Sequence, residues 1–285
     1  MRLCRFDEGR LGIVRGGEVA DVTAALEILP HYRYPLPGFD PMIAHLDRLR
    51  PEIERLQKSA RTVPLASIKL LSPVANPGKI VAAPVNYKKH LEEARADPEI
   101  HHANQVAEIQ RVGLFLKATS SLVGAGEGVK IRHSERRNDH EIELAVVIGR
   151  RTDRVSAARA LEAVAGYCIG LDMTVRGPEE RSLRKSVDSF TVLGPWLVTA
   201  DEYPRERPAR LSLAVNGASR QAANTADLII GIAELIAFAS SFYTLHPGDV
   251  LLTGTPEGVG PVQAGDMIEA SIDLIGSMTV AVEAI

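Results

Sequence analysis

Apolar and polar positions alternate in short runs from the start of the chain. Arg2–Phe6, Arg10–Arg15 and Glu18–Val22 carry strand-like patterning, and the turn formers Asp7-Glu8-Gly9 and Gly16-Gly17 separate them, which predicts a small meander. The period then changes. Between Met42 and Lys58 the apolar residues Ile43, Leu46, Leu49 and Ile53 recur at spacings of three and four, so they share one helical face, with a kink or fresh start expected at Pro51. Pro30, Pro35, Pro37 and Pro41 interrupt the chain before this segment, and Pro64, Pro73 and Pro77 interrupt it afterwards. The expectation is a small α+β domain over residues 1–70 and a larger one over 71–285.

Beyond residue 70 the pattern predicts strands at Lys79–Ala83, Leu114–Lys117, Glu141–Ile148, Tyr167–Met173, Trp196–Thr199, Leu211–Val215, Val250–Thr253 and Met267–Ile272. Helices are expected at Ser156–Val164 and Leu228–Phe242. Strands and helices do not alternate one for one, so a doubly wound parallel sheet fits poorly. An α+β, mainly β domain with a few covering helices fits better. Leu91 to Gln110 is polar, charged and weakly periodic, with Pro98 inside it, and reads as a mobile lid.

Composition narrows the class. With 285 residues, 45% apolar and 24% charged, the chain lies in the globular range. A net charge of -3 and the lack of a long basic block argue against nucleic acid as a partner. Cys4 and Cys168 are too few for a disulfide framework and fit a reducing compartment. The charged N-terminus does not resemble a secretory segment, and the apolar stretch from Leu228 to Ala239 is broken by Glu234. That stretch falls short of the roughly 20 residues a membrane span needs. A cytoplasmic protein without membrane contact is expected.

Candidate chemistry lies at strand ends. Glu141 and Glu143 precede the apolar run Leu144–Ile148, and strand alternation puts both carboxylates on one face. They read either as a solvated strand end or as a buried pair needing a proton or cation between them. His140 is out of phase with them and is expected at the surface. Asp172 ends another apolar run, as a metal ligand or as a helix cap. Together the three carboxylates describe an all-oxygen site suited to Mg²⁺, Mn²⁺ or Ca²⁺ rather than zinc. Lys185 reads as a solvated loop charge or as a cation beside the metal. His90 and Glu93, three apart at a helix start, could act as a base and its orienting carboxylate, or be surface residues. Gly248–Gly260 leads a strand into a Gly-rich loop without the ending of a nucleotide P-loop.

The order of these pieces is specific. Asn-Tyr-x-x-His-x-x-Glu at Asn86–Glu93, Phe-Leu-Lys-x-Thr-Ser-Ser-Leu at Phe115–Leu122 and Glu-x-Glu-Leu-Ala-Val-Val-Ile-Gly at Glu141–Gly149 come first. Asp-x-Thr-x-Arg at Asp172–Arg176, Lys-Ser-x-Asp at Lys185–Asp188, Leu-Gly-Pro-Trp at Leu193–Trp196 and the Gly248–Gly260 run follow. Over about residues 75–285 the chain resembles the fumarylacetoacetate hydrolase family. The resemblance implies a β-roll catalytic domain, a homodimer and a divalent metal, Mg²⁺ or Mn²⁺, on Glu141, Glu143 and Asp172. It also implies His90 and Glu93 as a base carried by a lid, Lys185 as a substrate ligand, and Arg176, Glu179 and Thr255 at substrate-binding positions. Glu179 stands where many members carry glutamine, and Ala118 where proline is usual after the lysine.

The implied activity is cleavage of a carbon–carbon bond in a 2-oxo or 2,4-dioxo acid, as in an acylpyruvate or fumarylpyruvate hydrolase. An oxaloacetate-type decarboxylase or a 2-hydroxyhepta-2,4-diene-1,7-dioate isomerase would use the same site, because all three reactions share an enolate. A sugar-acid dehydratase or an inactive binding protein ranks lower.

Overall fold

The computed structural model describes residues 1–101, 109–204 and 207–285. Among these, a 12-stranded mixed sheet runs in the order Thr62–Pro64, Glu18–Asp21, Arg10–Arg15, Arg2–Phe6, Thr191–Thr199, Val164–Asp172, Ile142–Ile148, Val250–Leu252, Ile80–Ala82 and Phe115–Lys117, with two short strands off this path. The predicted N-terminal meander is thus continuous with the main sheet, through pairing of Leu3 with Leu197. A five-stranded sheet built on Arg210–Val215, Met267–Ile272 and Gly276–Ala284 packs against it, and a three-stranded one joins Thr174–Val175, Asn138–His140 and Gly260–Pro261. The protein is mainly β with covering helices.

The placement of the strand Ile142–Ile148 explains why Leu144–Ile148 is an unbroken apolar run rather than an alternating one. Leu144, Val146 and Ile148 enter one core, shared with Ile268, Ala270 and Val280 of the five-stranded sheet. Ala145 and Val147 enter a second core, which Leu46, Leu49 and Ile53 of the helix Leu46–Leu56 complete. A strand buried on both faces has no position at which a polar residue is free. Its edges are also taken, by Val164–Asp172 and Val250–Leu252.

Several boundaries differ from the pattern. The break in the first helical region falls at His45, between Pro41–Ala44 and Leu46–Leu56, while Pro51 sits inside the second helix. His45 leaves helical geometry with ψ at 17°, and burial of Leu49 and Ile53 on either side of Pro51 outweighs one missing hydrogen bond. The helix expected over Ser156–Val164 is a single turn, Ala157–Ala160, followed by a 3₁₀ turn, and Val164 already belongs to the next strand. Ala218–Asn224 and Gly276–Ala284 are additional strands. Of the segment from Leu91 to Gln110, residues 102–108 lie outside the described residues. The described remainder is helical except at Asp97, which is extended, and Leu91, Ala94 and Ile109 are buried.

Candidate active site

The site forms where Ile142–Ile148 and Val164–Asp172 run out at the same end of the sheet. Ile142 pairs with Leu171 and Glu143 with Gly170, and the Asp172 N–H donates to the Glu141 carbonyl at 2.9 Å. Asp172 therefore lies across from Glu141 and diagonal to Glu143, on the face the two glutamates share. Oxygen atoms of the three carboxylates lie within 4.8 Å of one another, and all three side chains are buried. Gly170 leaves the space opposite Glu143 without a side chain, since a Cβ there would meet Leu252 Cδ2 at 2.7 Å.

Two lysines partly offset this charge. Lys185 Nζ donates to Glu141 Oε2, Asp172 Oδ2 and Thr174 Oγ1, each at 2.7 Å. Lys117 Nζ pairs with Asp172 and donates to the Phe190 carbonyl at 2.8 Å. Burial pulls the Lys117 ammonium below its ordinary range, against the pull of Asp172. Arg176 reaches Asp139 at 2.7 Å and Glu141 at 2.9 Å. Burial would raise the Glu141 carboxyl, but Lys185, Arg176 and His90 outweigh it and hold Glu141 below the usual carboxylate range. Glu143 goes the other way: burial and the Asp172 and Glu141 charges hold it well above that range, although Lys185 and the Gly254 N–H oppose them. Its hydrogen bond is to Gly254 N–H, and no ammonium or guanidinium bonds to it among the described residues.

Those features fit a divalent cation. The donors are all oxygen, and metal–oxygen bonds of about 2.1 Å put neighbouring ligands about 3 Å and opposed ligands about 4 Å apart, so the three carboxylates would draw together around a bound cation. A cation would also supply the opposite charge that Glu143 lacks.

His90 and Glu93 share a face of the helix Lys88–Ala96, with His90 Nδ1 2.8 Å from Glu93 Oε2. The other oxygen of Glu93 accepts the Gly258 N–H at 2.8 Å, which ties the helix to the Gly-rich loop. The base of that helix is set by Asn86, whose amide donates to the carbonyls of Ile230 and Thr253 at 2.9 and 2.8 Å and accepts from Ile230 N–H. Gly254 packs directly on Asn86: its φ is +101°, and a Cβ would lie 2.6 Å from Asn86 Cβ. Gly254→Ala is expected to lower stability by about 1–3 kcal/mol from backbone strain alone, with the clash adding to it. Thermal unfolding measures this, and an unchanged midpoint would refute it.

The structure places the other expected residues as follows. His140 is fully buried rather than at the surface, with Nδ1 3.1 Å from Gln221 Oε1, because the short strand Asn138–His140 is covered on its far side. Thr255 is buried, and its hydroxyl accepts from Gln221 Nε2 at 2.8 Å. Glu179 is not drawn into the carboxylate cluster: it is exposed and pairs with Arg136 at 2.8 Å. Ala118, standing where proline is usual, donates its N–H to Ser186 Oγ at 2.8 Å, a bond proline cannot make.

Gln221 and the roles of Lys117 and Asp139 were not visible in the sequence. Gln221 Oε1 accepts from Ile142 N–H and faces His140, while its Nε2 donates to Thr255 and to the Pro256 carbonyl. All four bonding positions of one amide join the glutamate strand to the Thr255 loop. Lys117 stood in a quoted motif, but nothing local gave it a partner 55 residues away.

A family model described as fumarylacetoacetate hydrolase C-terminal matches residues 79–283. A maleylpyruvate hydrolase of Aquipseudomonas alcaligenes is 61% identical over all of both chains. A mitochondrial oxaloacetate tautomerase of Rattus norvegicus is 33% identical over 97% of this chain and 90% of its own. Among solved structures, a maleylpyruvate hydrolase from Sphingobium sp. SYK-6 in complex with manganese(II) and pyruvate superposes with a TM-score of 0.84, at 41% identity, over 100% of this chain and 99% of that one. With the buried carboxylate triad, its lysines and the His–Glu pair in place, and with matches of this extent, the chain belongs to the fumarylacetoacetate hydrolase family.

Proposed function

We propose that this chain hydrolyses the C3–C4 bond of a maleylpyruvate-type 2,4-dioxo acid. The observation that carries this reading is the juxtaposition of a buried three-carboxylate cluster with a histidine held by its own glutamate. Glu141, Glu143 and Asp172 would hold Mg²⁺ or Mn²⁺, which when bound supplies a Lewis acid for the oxygens of the 2-oxo acid. His90, held at Nδ1 by Glu93, takes a proton from water. The water oxygen bonds to C4, the C3–C4 bond breaks, and C3 leaves with the electron pair as the enolate of pyruvate, which is then protonated. Lys185 places positive charge beside the forming enolate. Thr255 accepts from Gln221, so its own hydroxyl hydrogen is available to donate to the 2-oxo carboxylate. Arg176 acts through Glu141 and Asp139, fixing the ligand strand. Glu179 is the weakest of the assigned substrate contacts, since Arg136 already neutralises it.

All these residues lie within 71–285, the portion read as the catalytic domain. In the same reading the protein works as a cytoplasmic homodimer, which light scattering of the purified chain measures. Incubation of the Mn²⁺-loaded protein with maleylpyruvate is expected to release maleate and pyruvate in equal amounts. Tautomerisation or decarboxylation of oxaloacetate without acylpyruvate cleavage would replace the hydrolase reading.

A further inference from the structure

We propose that Arg181 binds the distal carboxylate of the substrate and so sets a preference for acylpyruvates with two acidic ends. The inference rests on the hydrolase reading above and adds the substrate's second anchor. A maleylpyruvate-type substrate carries one carboxylate beside the 2-oxo group and another at the far end, so a site selective for it needs a second cation, apart from the one at the reacting end.

Of the described lysines and arginines around the carboxylate cluster, one is left without a partner. Lys185 has three acceptors, Lys117 has Asp172 and the Phe190 carbonyl, and Arg176 has Asp139 and Glu141. Arg184 donates to the carbonyls of Glu179 and Val175, and Arg136 pairs with Glu179. Arg181 is partly buried, yet among the described residues it makes no hydrogen bond or ion pair. Its neighbour Glu180 is already committed, accepting from Ser182 N–H at 2.6 Å. Leaving a half-buried guanidinium without an anion is costly unless a ligand supplies one.

Position supports the same reading. Arg181 and Lys185 lie one turn apart on the short helix Arg181–Lys185. Arg181 Cζ stands 5.5 Å from the centre of the Phe115 ring and Lys185 Nζ stands 5.6 Å from the same centre, so their separation is bounded by the sum of the two. A seven-carbon diacid extends about 7–8 Å between its end carbons, given C–C bonds of about 1.5 Å, which lies within that upper bound. Burial lowers the guanidinium pKa, and the Glu141, Glu180 and Asp172 charges oppose it, which places Arg181 in the field of the carboxylate cluster without binding it there. Phe115 thus packs against both cations, the one that bonds the carboxylate cluster and the one left without an anion.

The test uses Arg181→Met, which keeps a stem against Phe115 and removes the charge. Two readouts are taken on the Mn²⁺-loaded protein. In turnover, the ratio of kcat/KM for maleylpyruvate to that for acetylpyruvate, whose far end is a methyl group, is expected to fall about 10- to 100-fold, the loss typical of a charge-assisted hydrogen bond. In calorimetry, maleate affinity is expected to fall by the same order while pyruvate affinity holds, with Arg181→Lys falling between. An unchanged ratio, an equal fall for both substrates, or loss of maleate binding instead through Lys89→Ala, an exposed lysine on the His90 helix that pairs with Glu257 at 3.5 Å, would overturn the assignment. Failure of the wild type to cleave either substrate would overturn the hydrolase reading by itself, and the maleate titration would still decide whether Arg181 is a carboxylate site.

Discussion

Hydrolysis of maleylpyruvate by His90→Ala is expected to fall about 10²–10⁴-fold in kcat, the usual range for loss of a general base. Attack on C4 needs a group that takes the water's proton, and the His90 ring is held for this by a carboxylate that is itself fastened to the Gly258 N–H. The alanine variant should still bind pyruvate and Mn²⁺, because no atom of His90 bonds to the three carboxylates. Glu93→Gln should lie between wild type and His90→Ala, since the ring stays but its orienting charge is lost. Wild-type turnover by His90→Ala would mean that another group activates the water.

The second large effect is expected at the metal. Glu143→Gln keeps the shape of the side chain and an oxygen for the Gly254 N–H, so the metal-free protein should stay folded. It removes a charged ligand, and Mn²⁺ affinity should drop enough to leave activity near background. Thermal unfolding separates this from simple damage. For the wild type, Mn²⁺ at 100 times its Kd should add about 2.7 kcal/mol of stability, a rise of several degrees in Tm. Dialysis against EDTA should abolish that rise together with activity, and Mg²⁺ or Mn²⁺ should restore both better than Zn²⁺. An equal Mn²⁺-induced rise in Glu143→Gln would remove Glu143 from the ligand set.

How much of this was legible depends on the distance over which each residue finds its partners. Glu141 and Glu143 could be placed together because strand alternation is local, and the apolar run after them announced burial. The pairing of His90 with Glu93 is likewise one helical turn. Asp172 could be grouped with the glutamates only by chemistry and resemblance, since the register that brings it across from Glu141 is a tertiary fact. Gln221 was invisible for the same reason: it lies in Ala218–Asn224, a largely exposed polar strand with no periodic signal, and it bonds to atoms 34 and 79 residues away. His140 was misplaced because alternation tells which face a residue takes but not whether a second sheet covers that face. By contrast, Gly276–Ala284 carries a local signal, since Met278, Val280 and Val282 alternate with the small or polar residues Ser277, Thr279, Ala281 and Glu283, yet it is absent from the strands expected above.

The central strand Ile142–Ile148 is paired on both edges and buried on both faces, and it carries two of the three proposed ligands at or beside its first residue. Its amide hydrogens can reach solvent only when both cores open, which is the global unfolding event. The carboxylate centre, with all three side chains buried, is therefore anchored to the part of the fold that opens last. Over the lifetime of a molecule it is intact or lost with the entire fold, so inactivation on heating should follow the rate of whole-chain unfolding rather than an earlier failure at the site.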